Sequence, residues 1–303
     1  MMMALIEFSV ILKSMQQAEL PMSIPQERIF CAKAPDTTGA RFENVLQYIP
    51  TTTVHQARLQ LYQPTRRPTH MERKIEGPWG KASVRGKIGQ VHADIVEAIC
   101  RHAEDHRVIP VTGHLQVLVD PYKVRVSVGG GTPYARDTLW NMLRELRETS
   151  VVLEVPSRGL KVMGGILDRV EESPAKRLNP LTREMRPLWR VTFDPAFAEL
   201  LRDDLQLNYD PTPLASIDSG VAQAIARHIL THRTQPQGGW HLDALITAVG
   251  AGGSSERVRN RRREVRACAG ALRRVGIHYE DGRLRRLESD KQPAAHAAER
   301  ATP

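Results

Sequence analysis

Cysteine is scarce in this 303-residue sequence: Cys31, Cys100 and Cys268 stand far apart, and no CxxC pair occurs. That excludes a disulfide-stapled scaffold or a Cys-based zinc module, and it fits a reducing cytoplasm. Aromatic residues are only 5% of the chain, too few for the stacking platforms with which single-strand readers hold bases. Long apolar runs are missing as well. The longest apolar start, Met1 to Leu12, is broken by Glu7 and preceded by no basic region, so neither a signal peptide nor a membrane span is expected. Catalytic signatures are absent too. There is no His-Glu-x-x-His, no Gly-x-Ser-x-Gly and no clustered pair of acids in a recognisable turn, so the chain is expected to be no enzyme and to need no metal or cofactor.

Acid is also in short supply: 43 Lys and Arg face 34 Asp and Glu, for a net charge of +9. Most of that excess is local. Between Arg257 and Arg274 stand eight arginines against a single acid, Glu264. A row of like charge repels itself unless a polyanion lies against it, and nucleic acid is the polyanion these features favour.

Residues 1–84 are rich in Pro, Thr and Gln without sustained periodicity, and are expected to be an extended, largely disordered leader. From 85 to 170 the order changes. Ile88, Val91, Ile95, Ile99, His102 and Ala103 recur at helical spacing. Leu115–Val119 and Val124–Val128 alternate around Asp120-Pro-Tyr-Lys123 as two strands with a turn between them. After Gly129-Gly-Gly131, Thr132 and Pro133 open a second helix with Leu139, Trp140, Leu143 and Leu146 inward, and strands over 151–155 and 160–170 follow. Gly129–Gly131 reads as a strand-to-helix loop or a phosphate-backbone contact; without a following Lys-Ser/Thr it is no nucleotide loop. A polar linker is expected at 171–186. The order then repeats over 187–288, ending in a hairpin that turns at Asp281-Gly282, with a disordered tail at 289–303. The expected fold is therefore α+β, mainly helical, with tandem winged helix-turn-helix domains behind a flexible leader. His102/His106 and His228/His232 each fall on one helix face at i, i+4, but with no third ligand they read as packed or surface histidines.

The arginine segment reads as one long helix capped by Ser254 or Ser255. At 100° per residue, Val258, Val265, Ala269 and Leu272 share an inward face, with Cys268 and Val275 at its edge. The opposite face carries Arg259, Asn260, Arg263, Ala267, Gly270 and Arg274, with Arg266 at its margin. Arginine fits guanine O6 and N7, asparagine fits adenine, and small residues let a helix lie close to a duplex. Arg259, Asn260, Arg263 and Arg266 are the expected base readers. Ser254, Ser255, Arg257, Arg262, Arg273, Arg274, Arg283 and Arg285 are expected on the DNA backbone, joined by Arg136 from the first half.

The stretch Arg257-Val258-Arg259, Arg262, Val265, Leu272-Arg273 and Gly276-Ile277 resembles the C-terminal recognition segment of TrfA-like plasmid replication initiators. Thr231-His232-Arg233 is similar to that family's Ser-His-Arg helix end, and Ile166-Leu-Asp-Arg169 to its linker strand. The resemblance implies a Rep-type pair of winged helices, the C-terminal one reading direct-repeat iterons and the N-terminal one serving backbone contact and dimerisation. It further implies origin opening and contact with a host initiator and the replicative helicase, in the cytoplasm and away from membranes. In the leader, Gln56, Leu59, Leu61 and Tyr62 resemble the short motif with which bacterial proteins dock on the replicative sliding clamp. Two alternatives stay open: a winged-helix transcriptional regulator, and a DNA-processing enzyme such as a nuclease or relaxase.

Overall fold

The computed structural model describes residues 49–287 except 59, 78–79, 157–159, 179–182 and 203–205. The described chain begins with β1 (Thr52–Thr53) and α1 (Val54–Arg58), then a hairpin of β2 (Met71–Gly77) and β3 (Gly80–Gly86). Helix α2 (Gln90–Arg101) follows, and every residue from Gln90 to Cys100 is buried. Its apolar stripe meets the first core while its polar side, Asp94 and Glu97, faces the second. Next come β4 (Ala103–Val108), β5 (Leu115–Val119), α3 (Pro121–Val128), α4 (Arg136–Arg147), and the strands β6 (Ser150–Val155), β7 (Leu160–Gly165), β8 (Leu167–Leu178) and β9 (Met185–Phe193). Helix α5 (Pro195–Arg202) and β10 (Gln206–Leu207) lead to the second half: α6 (Thr212–Ala215), α7 (Gly220–Leu230), β11 (Trp240–His241), α8 (Leu242–Ala248), α9 (Ser255–Ala267), α10 (Ala269–Arg274), β12 (Ile277–Glu280) and β13 (Arg283–Arg286).

Strand rivals helix, and this overturns the mainly helical expectation. Among the described residues 13 strands pair antiparallel in four sheets, ordered β2-β3-β6-β7, β4-β5-β9-β8, β11-β13-β12 and β1-β10. The fold is α+β in comparable parts. Much of the extra strand lies in the polar stretches expected to be leader and linker. Residues 71–86 form a hairpin in register from Met71↔Gly86 to Gly77↔Gly80. The supposed linker 171–186 is the outer part of a hairpin whose strands pair from Leu167↔Phe193 to Leu178↔Met185. Its register slips between Glu172 and Lys176, the interval that holds Pro174, which has no N–H to give the ladder.

Two further elements differ in kind. Val124–Val128 is not a strand: Asp120 accepts the Tyr122 amide at 2.9 Å and Pro121 opens α3, so a cap and a proline override the β-branched alternation. Helix α2 stops at Arg101, and His106 lies on β4, so His102 and His106 do not share a helix face. One hydrophobic core gathers Leu61, Ile95, Leu115, Leu139, Trp189, Phe193 and their neighbours. A second gathers Ile225, Ile229, Leu245, Ile246, Val265, Leu272 and Leu284. The first extends to Leu201, so residues 187–201 pack with the first half and not, as expected, with the second.

The cores are joined by buried charge. Arg227 of α7 reaches Glu97 at 2.8 and 2.9 Å, Asp94 at 2.5 Å and the Gln90 amide oxygen at 2.7 Å. The Tyr209 hydroxyl donates to Glu97 at 2.7 Å. Burial pushes the Glu97 carboxyl upward while Arg227 pulls it back, and the same two acids hold Arg227 firmly protonated.

Candidate nucleic-acid interface

In the second half α7, β11, α8, α9 with α10, and the β12–β13 hairpin follow in that order, and β11 pairs with β13 (Trp240↔Leu284, His241↔Arg283). The hairpin turns at Asp281 and Gly282, both with positive φ (46° and 73°), the backbone a two-residue hairpin requires. Between α8 and α9 the chain reverses at Gly250, φ +72°, where a Cβ would also stand 2.5 Å from the Gln60 amide oxygen.

Helix α9 is capped by Ser254, whose hydroxyl accepts the Arg257 amide at 3.3 Å, and Ser255 is its first residue. Val265 and Leu272 are fully buried and Val258 packs against the same core, as the 3.6-residue period requires. The single long helix expected from sequence is divided. The Cys268 amide is shared between the Glu264 and Val265 carbonyls at 3.3 and 3.1 Å, α9 ends at Ala267, and Gly270, Arg273 and Arg274 ride on the short α10. Arg259, Asn260, Arg263, Arg266 and Ala267 are exposed along α9.

The arginines fall into three kinds. Arg257, Arg259 and Arg273 make no side-chain hydrogen bond or ion pair with any described residue. Arg263 donates to the Asn260 amide oxygen at 2.7 Å, Arg266 to the Tyr279 hydroxyl at 3.4 Å, and Arg274 to the Ser216 hydroxyl at 3.5 Å; none has an acid partner. The rest are held by acids. Arg261 pairs with Glu264 at 2.8 Å, and Arg262 grips Asp243 of α8 through two hydrogen bonds of 2.6 and 2.5 Å. That grip holds the Asp243 carboxyl below the usual carboxylate range and raises Arg262. Asp243 is the partner that a count within the arginine window overlooks; it stands 19 residues upstream, and no spacing rule links it to Arg262.

On the hairpin, Arg285 donates to the Gly238 carbonyl at 3.1 Å and pairs with Glu280 at 3.4 Å, while Arg283 reaches the Gly239 carbonyl at 3.5 Å. Arg136 sits on α4 in the first half, paired with Glu172 at 2.7 Å, and is not brought to the α9 surface by any described contact. A groove between the start of α8, the flank of α9 and the hairpin is lined by His241, Asp243, Arg262, Arg266, Tyr279 and Asp281.

The clamp-like residues have a different setting from the one expected. Leu61 is fully buried, Tyr62 and Gln56 nearly so, and Leu59 lies outside the described residues. Leu61 and Tyr62 belong to the first core, so they do not stand free for a partner. Their segment instead spans the molecule. Arg58 donates to the Thr231 hydroxyl and carbonyl at 3.0 and 3.2 Å, at the end of α7; Gln60 donates to the Ala248 carbonyl at 2.8 Å, at the end of α8; Arg66 reaches the Ala215 carbonyl at 3.1 Å. Orphan helix-end carbonyls are thereby satisfied from a distant segment. The His228 and His232 rings lie 4.8 Å apart beside this contact, tilted by 59°, and burial, helped by His232 and Arg58, lowers His228 to about 4.

No helix among the described residues is long and apolar enough to cross a membrane. No protein-family model matches the chain, and no curated protein matches it. Among solved structures it is similar to selenomethionine derivatives of domains 2 and 3 of RctB, at 14% identity over 77% of this chain and 95% of that one, with a TM-score of 0.46. A second crystal structure of RctB domains 2–3 gives 13% identity over 76% and 94%, with a TM-score of 0.42.

Proposed function

We propose that this chain binds duplex DNA at specific sites, with α9 in the major groove and the β12–β13 hairpin as a wing beside it, and that it performs no catalysis. The observation that carries the reading is the exposed face of Arg259, Arg263 and Arg266, none with an acid partner among the described residues, on the helix that follows the α8–α9 turn. Three uncompensated cations on one face of about two turns suit a surface whose charge is also linear and dense. The resemblance to TrfA-like initiators extends the reading: a replication initiator that assembles on direct repeats, helps open the origin and engages host replication proteins. Footprinting of the full chain on the DNA flanking its own coding region tests this. Arrayed protected repeats beside an AT-rich segment are expected. One protected operator at a promoter would make it a transcriptional regulator, and no protection anywhere would overturn the DNA reading.

A further inference from the structure

Resting on that reading, we infer that Asn260 is not an adenine reader but the positioning partner of Arg263, and that the two form one unit that recognises guanine with a further acceptor base beside it. Asn260 and Arg263 lie three residues apart on the exposed face of α9, and the Arg263 Nη2 donates to the Asn260 Oδ1 at 2.7 Å. Adenine recognition by asparagine needs both ends of the amide, the oxygen accepting from N6 and the nitrogen donating to N7. Here one of the oxygen's two lone pairs is occupied, and the cationic guanidinium beside it repels the partly positive N6 amino group that would approach the other. What remains to Asn260 is its NH2, a donor, which fits N7 of either purine, O6 of guanine or O4 of thymine and so does not single out adenine. Arg263 loses little by the exchange. A guanidinium carries five N–H donors, so giving one to Asn260 still leaves a two-pronged edge for guanine N7 and O6. The bond also restrains a long side chain that no carboxylate holds, reducing the rotamer freedom that binding must remove. Its neighbour Arg259 has no such partner, so on this face the discrimination is concentrated at the Arg263 position.

The test is selection of the full-length protein, and of full-length Asn260→Ala and Asn260→Asp variants, on a randomised duplex pool, followed by affinities on single-base variants of the enriched site. The wild type is expected to enrich guanine at one position and to show no adenine preference at its neighbour. Asn260→Ala should cut the discrimination at the guanine itself by about fivefold or more. Asn260→Asp keeps the acceptor, so it should keep the guanine preference while weakening every duplex alike. Comparable unfolding temperatures for the three proteins show that both changes leave the fold intact. A site with adenine beside the guanine, lost in Asn260→Ala while the guanine preference stays whole, overturns the inference and leaves the DNA reading standing. A wild-type pool with no enriched sequence overturns the DNA reading and the inference with it.

Discussion

Replacing Arg227 by methionine keeps most of the side-chain volume but removes the one cation that bridges two buried acids. The side chains of Arg227, Asp94 and Glu97 are 5%, 0% and 3% exposed, so water does not take the guanidinium's place. Stripping one partner from such a pair costs about 3–5 kcal/mol, a large share of the roughly 5–15 kcal/mol that holds a domain folded. With a urea m-value of about 2 kcal/mol/M, the midpoint should fall by about 1.5–2.5 M. The loss should also depend on pH. Burial already raises the Glu97 carboxyl, and without Arg227 it takes up a proton in the folded state that the unfolded chain releases. Folded protein then binds more protons than unfolded, so the variant gains stability relative to wild type as pH falls from 8 toward 5. Glu97→Gln in the same background should recover part of the loss at neutral pH. A loss below about 1 kcal/mol, or one that is the same at pH 8 and pH 5, would refute the buried-charge account of how the two cores are held together.

Leu61→Ala should destabilise the fold by about 2–5 kcal/mol in denaturant titration, because this fully buried residue belongs to the first core; unchanged stability would return it to a free docking segment. His228, lowered to about 4, favours the neutral imidazole in the folded state, so its contribution is present above the unfolded value near 6.5 and is lost as pH falls toward 4. His228→Gln should accordingly flatten the drop in Tm between pH 7 and 4.5, and a parallel drop would show that other groups control it. Asp243→Ala tests the grip on Arg262. If the pair positions α9, binding weakens while stability changes by less than about 1 kcal/mol; if Arg262 is instead a phosphate anchor held back by its acid, binding tightens.

Local signals in the sequence located the cap, inward face and hairpin turn around α9. The inward face of α9, its Ser254 cap and the Asp281-Gly282 turn all follow from spacing and cap chemistry, which act within a few residues. Where the reading failed, distant partners decided the outcome. Nothing local shows that Arg58, Gln60 and Arg66 will satisfy carbonyls of the second half, so 49–66 looked like leader. Nothing local marks Asp94 and Glu97 as buried, because the cation they share, Arg227, is 130 or more residues away. Helix α3 differs for a local reason: the Asp120-Pro121 start signal overrides the valine alternation that follows it. On the site itself, sequence identified the exposed arginines but gave no sign that Asn260 and Asp243 would take hold of two of them.

The central claim, that the exposed arginines of α9 and α10 without acid partners lie against DNA phosphates and bases, is tested most directly by the salt dependence of duplex binding. With roughly six to ten phosphates engaged, log K against log salt concentration should slope near −5 to −9. In the Arg257→Ala/Arg273→Ala protein, which removes two expected backbone contacts, the slope should become shallower by about 1–2, with affinity reduced at every salt concentration. A wild-type slope near −1, or a slope and affinity unmoved by the double substitution, would contradict the account.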